Sequence, residues 1–548
     1  MSAGKGECNL PDTTRFRYAG ITGSRLTILI RILKFQQAAE LLLLTCVLTA
    51  TRVAFRSRYL YDIDSVNFAL GLRRFDPASH QPHPPGYFLY ICLGRVVNAF
   101  FHDANNSFVA ISIAASCGAL IMIYILADNW FDRPAAFFAG LIFLFSPLVW
   151  FHGTVALTYS AEAFFSGLTG YLCWRLICGS RAFVLPIALT AGLAAGFRPS
   201  FLLFLSPLLL LSLVGAGRKR MVTGIVVLAL TLLAWGVPMV LQSGGPESYW
   251  SALVSLWSMV PAKQTVFNSS PANSIARLFF IVGIYILCFG CAALLIFRLG
   301  RLNPGIDRRK KIFTWVWIGP GLLFFSFIFL KFVNSGYLLV ISPPVFVWLG
   351  LSASRWYTGM RLPNAAKNAL AALFAAVNSL IFLYAPVYCS WASVRQFEME
   401  LRSELAAVPR IASPADTLIV GFDSHFLGYR HAGYYLPAYT VAQYPEVRLV
   451  RGIRIFVMEH GDTRLVDMLP VRGFKNFLLF PLPADDKEYR DFMDKVRARF
   501  PPGALRTVSA EGRQFSVGVI RDLPLLFPVA ASQVYSGEDV GGVAVSGR

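Results

Sequence analysis

Asp62 and Asp64 stand two residues apart in Tyr61-Asp62-Ile63-Asp64-Ser65-Val66-Asn67-Phe68, and a histidine follows between prolines in Pro82-His83-Pro84-Pro85-Gly86-Tyr87. A carboxylate beside a hydroxyl can take its proton, and a pair of carboxylates can also hold a metal ion. A D-x-D pair is also ordinary in a solvated turn. What singles this pair out is its setting. Between Gln37 and Tyr388 the acids are Glu40, Asp62, Asp64, Asp76, Asp103, Asp128, Asp132, Glu162, Glu247 and Asp307 alone. A chain this sparing of acids that places three within one short loop directs attention to that loop. The prolines around His83 suit the entry to a helix, and they also suit a rigid wall holding His83 and Tyr87 near the carboxylates.

Four more residues have types that suit chemistry. Glu162 follows Thr158-Tyr159-Ser160 about one turn into an apolar segment, as a site acid or a helix-to-helix hydrogen bond. Arg198, in Gly196-Phe197-Arg198-Pro199-Ser200, is a cation in a tight apolar turn. A phosphate is an apt partner for its guanidinium, and snorkelling to the interface is the plain alternative. Lys331 and Tyr337 flank a short loop, either lining a site or anchoring the interface. Asp423 and His425 form a weaker candidate nearer the C-terminus.

The elements that must position these residues are mostly apolar. The chain has 548 residues, 56% hydrophobic, with a mean hydropathy of +0.56. This excludes a soluble globular class and implies many spanning segments. The net charge of +20 is explained by basic loops on the cytoplasmic side, and no nucleic-acid motif accompanies it. Cys288 and Cys291 form a CxxC inside an apolar segment, where small buried side chains are the expected reading. No cysteine occurs after Ser390, and no signal peptide is expected.

Spans are expected near Gln37–Phe55 and at about 107–127, 134–152, 159–178, 182–197, 199–214, 221–241, 276–298, 312–330, 337–352 and 368–388, about 11 in all. The basic clusters Arg218-Lys219-Arg220, Arg298 to Lys311 and Arg355/Arg361/Lys367 fall together on the cytoplasmic side only if Gly86–Phe101 lies along the outer leaflet without crossing. The expected organisation is a cytoplasmic N-terminus (1–36), a transmembrane domain (37–389) with a large external loop (58–106), an external soluble α/β domain (390–527) and a disordered tail (528–548). A second external loop would hold Lys263 and Gln264. Strands are expected at Thr417–Gly421, Ile453–Met458, Phe477–Phe480 and Gln514–Ile520, with an amphipathic helix at Asp485–Phe500.

At these residues the chain resembles the polyprenyl-phosphate-dependent GT-C glycosyltransferases of the family-39, or PMT-like, group. Asp64, the His83-Pro84-Pro85-Gly86-Tyr87 turn and Arg198 match that group's order of external acid, H-P-P turn and later basic residue, over about residues 40–350. Many relatives carry two adjacent acids. Here Ser65 follows Asp64 and the second acid is Asp62, which leaves open which aspartate is the base and whether a divalent metal is bound. The resemblance implies a GT-C-like membrane fold with a C-terminal external domain. It also implies inverting transfer of a sugar from polyprenyl phosphate to an envelope acceptor, a glycolipid, polysaccharide or protein, at the outer face of a bacterial inner membrane. Asp64 would be the base and Arg198, with Lys331, would stabilise the leaving phosphate.

Two other classes compete. A transporter or flippase would bury polar pairs at mid-membrane and show inverted repeats, and neither is visible. An assembly factor with a membrane anchor would not need the acid and H-P-P constellation. Between the two aspartates, Asp64 is expected as the N-cap or first-turn residue of a helix, where a negative charge meets the positive end of the helix dipole. Asp62 is expected to be solvated or structural.

Overall fold

The computed structural model describes residues 23–259, 270–299, 306–327, 332–449, 452–481, 493–494 and 496–527. Lys331, Lys263, Gln264, most of the expected N-terminal segment, most of the expected Asp485–Phe500 helix and the expected tail lie outside the described residues. The helices in chain order are α1 (Gly23–Ala54), α2 (Ile63–Arg73), α3 (Phe88–Phe101), α4 (Ala104–Trp130), α5 (Arg133–Leu144), α6 (Pro147–His152), α7 (Tyr159–Ile177), α8 (Val184–Phe197) and α9 (Ser200–Val214). They continue as α10 (Arg218–Gln242), α11 (Pro246–Met259), α12 (Pro271–Phe289), α13 (Ile296–Leu299), α14 (Arg308–Phe327), α15 (Ser342–Gly359), α16 (Asn364–Tyr384), α17 (Trp391–Ile411) and α18 (Tyr429–Tyr435). Two compact units result, Met1–Tyr59 with Tyr87–Met239 and Ala262–Arg395, and Leu60–Gly86 with Val240–Pro261 and Gln396–Arg548.

The first unit is helical. Among the described residues, five helical segments are long and apolar enough to cross a bilayer: Phe35–Ala54, Ala104–Trp130, Arg218–Gln242, Ser274–Arg298 and Asn364–Tyr384. The expected count of about 11 is not reached by length and composition, because several apolar runs are broken. The run expected at 134–152 breaks at Ser146-Pro147, where the residue before proline leaves the α region and Ser146 caps α6 through the Val149 N–H. The run expected at 337–352 begins as the 3-10 segment Phe332–Val340 and turns α-helical only at Ser342. The helix α3 has 14 residues, about 21 Å at 1.5 Å per residue, against roughly 30 Å of hydrocarbon.

Small residues set the closest approaches. A Cβ on Gly350 of α15 would lie 2.4 Å from the Ala135 carbonyl oxygen and 2.6 Å from Ala139 Cβ on α5. Backbone cannot yield there, so the two helices touch only because position 350 has no side chain.

The second unit is built on a mixed sheet. Its strands are β1 (Thr417–Phe422), β2 (Val441–Tyr444), β3 (Val447–Leu449), β4 (Gly452–Glu459), β5 (Asp462–Val466), β6 (Asn476–Leu479), β7 (Leu505–Ala510) and β8 (Arg513–Val519). The order is β3-β4-β2-β1-β6-β8-β7, with β5 on β4. β1 runs parallel to β2 and β6 at the centre. All six β1 residues are buried, so both faces of the central strand are covered. Leu418, Val420 and Phe422 point into a core with Ala442, Val457, Phe477, Leu479 and Phe500. The four strands expected from hydropathy correspond to β1, β4, β6 and β8. The shorter β2, β3, β5 and the more exposed β7 carry too weak an alternation to be read.

The loop Leu60–Gly86 is bonded into this unit. The Leu60 N–H donates to the Tyr435 hydroxyl at 2.9 Å, and the Ile63 N–H donates to the His425 carbonyl at 2.9 Å. Arg430, fully buried, donates from Nη2 to the Ser79 carbonyl (3.1 Å) and from Nη1 to Thr463 Oγ1 (2.7 Å). Gln81 donates from Nε2 to Asp462 Oδ1 at 2.8 Å. His431 Nδ1 accepts the Gly428 N–H at 3.4 Å, so Nε2 carries the proton and donates to the Leu60 carbonyl at 3.1 Å. That tautomer is neutral, and burial lowers the imidazole pKa to about 4.

Two outcomes follow. Gly350→Ala should lose roughly 1–3 kcal/mol by overpacking, whereas Gly319→Ala, which meets nothing within 4 Å, should be neutral or better. Thermal unfolding of the detergent-solubilised proteins compares them. His431 takes a proton near pH 6.5 when unfolded but only near 4 when folded, so its stabilisation is full above pH 6.5 and is lost as pH falls towards 4. The loss is of order 3 kcal/mol. The drop in melting temperature between pH 7 and pH 4.5 should therefore shrink in His431→Gln; an unchanged drop would remove His431 as its source.

Candidate active site

In the sheet-bearing unit, Asp62 is the N-cap of α2, and its Oδ1 accepts the Asp64 N–H at 2.8 Å. Asp64 sits in the first turn, one of the two placements expected for it. Asp62 is buried and engaged by the backbone, while the Asp64 side chain is 33% exposed. Asp64 Oδ1 lies 3.3 Å from His83 Nδ1. The H-P-P turn thus brings its histidine to the second aspartate. That turn contains the cis bonds Gln81–Pro82 and Pro84–Pro85, and His83 rests against the Phe68 ring. Asp76 is structural: it caps the Pro77–Ser79 turn and pairs with Arg74 at 2.9 Å. Asp423, at the end of β1, is exposed and its N–H donates to the Tyr444 carbonyl.

In the helical unit a second cluster forms around Arg198, which sits in the turn between α8 and α9. The side chain is nearly buried, with 5% of the residue exposed, so it does not snorkel. Its Nε is 3.3 Å from Glu162 Oε1, and its Nη1 donates to Thr158 Oγ1 at 2.9 Å. Three rings enclose the guanidinium, with centroids at 4.1 Å (Tyr337), 4.4 Å (Tyr159) and 5.8 Å (Tyr87). Sequence reasoning offered a phosphate or the interface as the partner of this cation. The partner the structure provides is Glu162, with cation–π contacts besides. Tyr87, Glu162, Arg198 and Tyr337, singled out separately in the sequence, therefore meet at one charge.

Tyr159 and His152 were not among the candidates. His152 is fully buried, packs edge-on to Tyr159 at 4.7 Å, and has no hydrogen-bond partner at either ring nitrogen among the described residues. Gly336 allows that approach, since a Cβ there would strike Tyr159 Cγ at 2.3 Å and His152 Cε1 at 2.7 Å. The signal that was available is a histidine ending an apolar run. For a metal, no group of three or more His, Cys, Asp or Glu residues is suitably disposed among the described residues.

Residues 80–221 match the family model described as the protein O-mannosyl-transferase TMEM260 N-terminal domain. That stretch includes His83, Tyr87, Glu162 and Arg198. The fold is similar to that of ArnT from Cupriavidus metallidurans in the apo state, at 13% identity and a TM-score of 0.55, covering 89% of this chain and 98% of that one. It is equally similar to ArnT bound to undecaprenyl phosphate, at 11% identity and a TM-score of 0.54, covering 87% and 97%. No curated protein matches the chain. The chain thus carries an ArnT-like fold along nearly its whole length, with the match to the O-mannosyl-transferase domain model lying within it.

Proposed function

We propose that the protein transfers a sugar from a polyprenyl-phosphate donor to an acceptor hydroxyl of the cell envelope, at the external face of the membrane and with inversion. The observation that carries this reading is the division of labour between the two aspartates. Asp62 is committed to capping α2, and Asp64 presents a partly exposed carboxylate beside His83. In this reading Asp64 takes the acceptor proton as the hydroxyl oxygen bonds to the anomeric carbon. The bond from that carbon to the phosphate oxygen breaks, and polyprenyl phosphate leaves with the electron pair. Its charge falls to Arg198 and Lys331. Arg198 Nε and Nη1 are engaged by Glu162 and Thr158, and Nη2 has no hydrogen bond among the described residues, which leaves that nitrogen to donate to a phosphate oxygen. The ArnT complex with undecaprenyl phosphate supports a lipid-phosphate donor for this fold. Glycolipid, polysaccharide and protein acceptors all present the hydroxyl this chemistry needs.

Asp64→Asn should lower transfer about a hundred-fold or more while donor binding persists. Asp62→Asn should stay near wild type, because Asn caps helices about as well as Asp. Transfer by purified protein from a polyprenyl-phosphate sugar, with donor binding measured alongside, checks both. Wild-type activity in Asp64→Asn would remove this residue from the mechanism, and loss at Asp62→Asn alone would move the base there. For orientation, a reporter active only outside the cytoplasm should be active when fused after Ser390 and silent after Arg220; the reverse pattern would invert the topology.

A further inference from the structure

A cavity of about 390 Å3 lies where the end of α7, the end of α9 and the start of α14 converge. It is at the opposite end of α7 from Glu162. Its apolar wall is formed by Trp174, Leu211, Ile312 and Phe313, and Arg181 and Arg309 line it as well. The Trp174 and Phe313 rings pack edge to face at 5.3 Å. Both arginines are exposed, and neither forms an ion pair with a carboxylate among the described residues. Their basic neighbours are engaged. Arg175 donates to the Tyr171 hydroxyl and lies over the Phe183 ring, and Lys310 donates to the Trp130 carbonyl. The one acid close in sequence, Asp307, accepts the Arg309 backbone N–H through Oδ1 at 2.8 Å.

Two unanswered guanidiniums beside an apolar well at the ends of membrane helices have a definite chemical complement. It is a molecule with a phosphate head and a hydrocarbon tail. We propose that this cavity binds an anionic lipid, its tail against Leu211 and Ile312 and its phosphate oxygens hydrogen-bonded to Arg181 and Arg309. Basic loops gather on the cytoplasmic side, where anionic lipids also concentrate, so charge and location agree. The phosphate could belong to a phospholipid or to a polyprenyl phosphate, since the two share this chemistry.

Native mass spectrometry of the whole protein in mild detergent, with phosphatidylglycerol, phosphatidylcholine or undecaprenyl phosphate added, tests the site. Phosphatidylglycerol should be retained about ten-fold or more above zwitterionic phosphatidylcholine, and Arg181→Gln with Arg309→Gln should abolish that preference. Lysine at both positions should restore most of it. Leu211→Trp, which fills the well and keeps both charges, should also reduce retention, and it serves if the double variant folds poorly. Stronger retention of undecaprenyl phosphate, lost in the same variants, supports the site and identifies the carrier as its occupant. Equal retention of zwitterionic and anionic lipids, or retention unaffected by all these substitutions, overturns the proposal.

Discussion

A guanidinium removed from water is the constraint on which the helical unit depends. Moving an ion into a protein interior costs several kcal/mol, recovered only by close and well-aligned partners. Around Arg198 those partners come from separate parts of the chain. Glu162 stands in the first turn of α7, Thr158 immediately precedes it, Tyr87 opens α3, and Tyr337 belongs to the 3-10 segment before α15. One cation therefore links four segments of the chain. Helices packed in an apolar surround gain little specificity from hydrophobicity, so buried polar contacts and small residues supply the register.

The sheet-bearing unit meets a different requirement. A short loop carrying an acid cannot hold a carboxylate in place by itself, because its backbone groups need partners. Here they find them on α18 and around β5. Leu60 and Ile63 are bonded to Tyr435, His431 and His425, while Ser79 and Gln81 are bonded to Arg430, Asp462 and Thr463. Asp62 then caps a helix that begins at a defined place, which puts Asp64 in its first turn. The sheet-bearing unit thus acts as the scaffold of the acid-bearing loop, a role its composition does not announce.

Much of this was legible in the sequence, for physical reasons particular to each residue. Prolines restrict the chain strongly, so Pro82-His83-Pro84-Pro85 could be read as a rigid turn, and its histidine does meet Asp64. Scarcity made the acids conspicuous. The breaks in the apolar runs were harder: a segment apolar on every side has no periodicity to lose, so only Ser146-Pro147 hinted that one run divides in two. The pairing of Arg198 with Glu162 is a tertiary contact and leaves no local trace. The same holds for His152, whose surroundings come from Tyr159 and Gly336. Short strands such as β3 and β5 are set by their neighbours in the sheet rather than by their own alternation.

Bonds that secure the acid-bearing loop join residues more than 370 positions apart in the chain. Leu60 meets His431 across 371 residues, and Gln81 meets Asp462 across 381. During synthesis the loop emerges early, yet the partners it finds at His425, Arg430, His431, Tyr435, Asp462 and Thr463 are made after the last apolar helix. A nascent chain can therefore complete its membrane helices and still lack a settled carboxylate. The order of translation makes assembly of this loop one of the final steps in maturation, and a chain that stops short of residue 463 holds Asp64 without the contacts that position it.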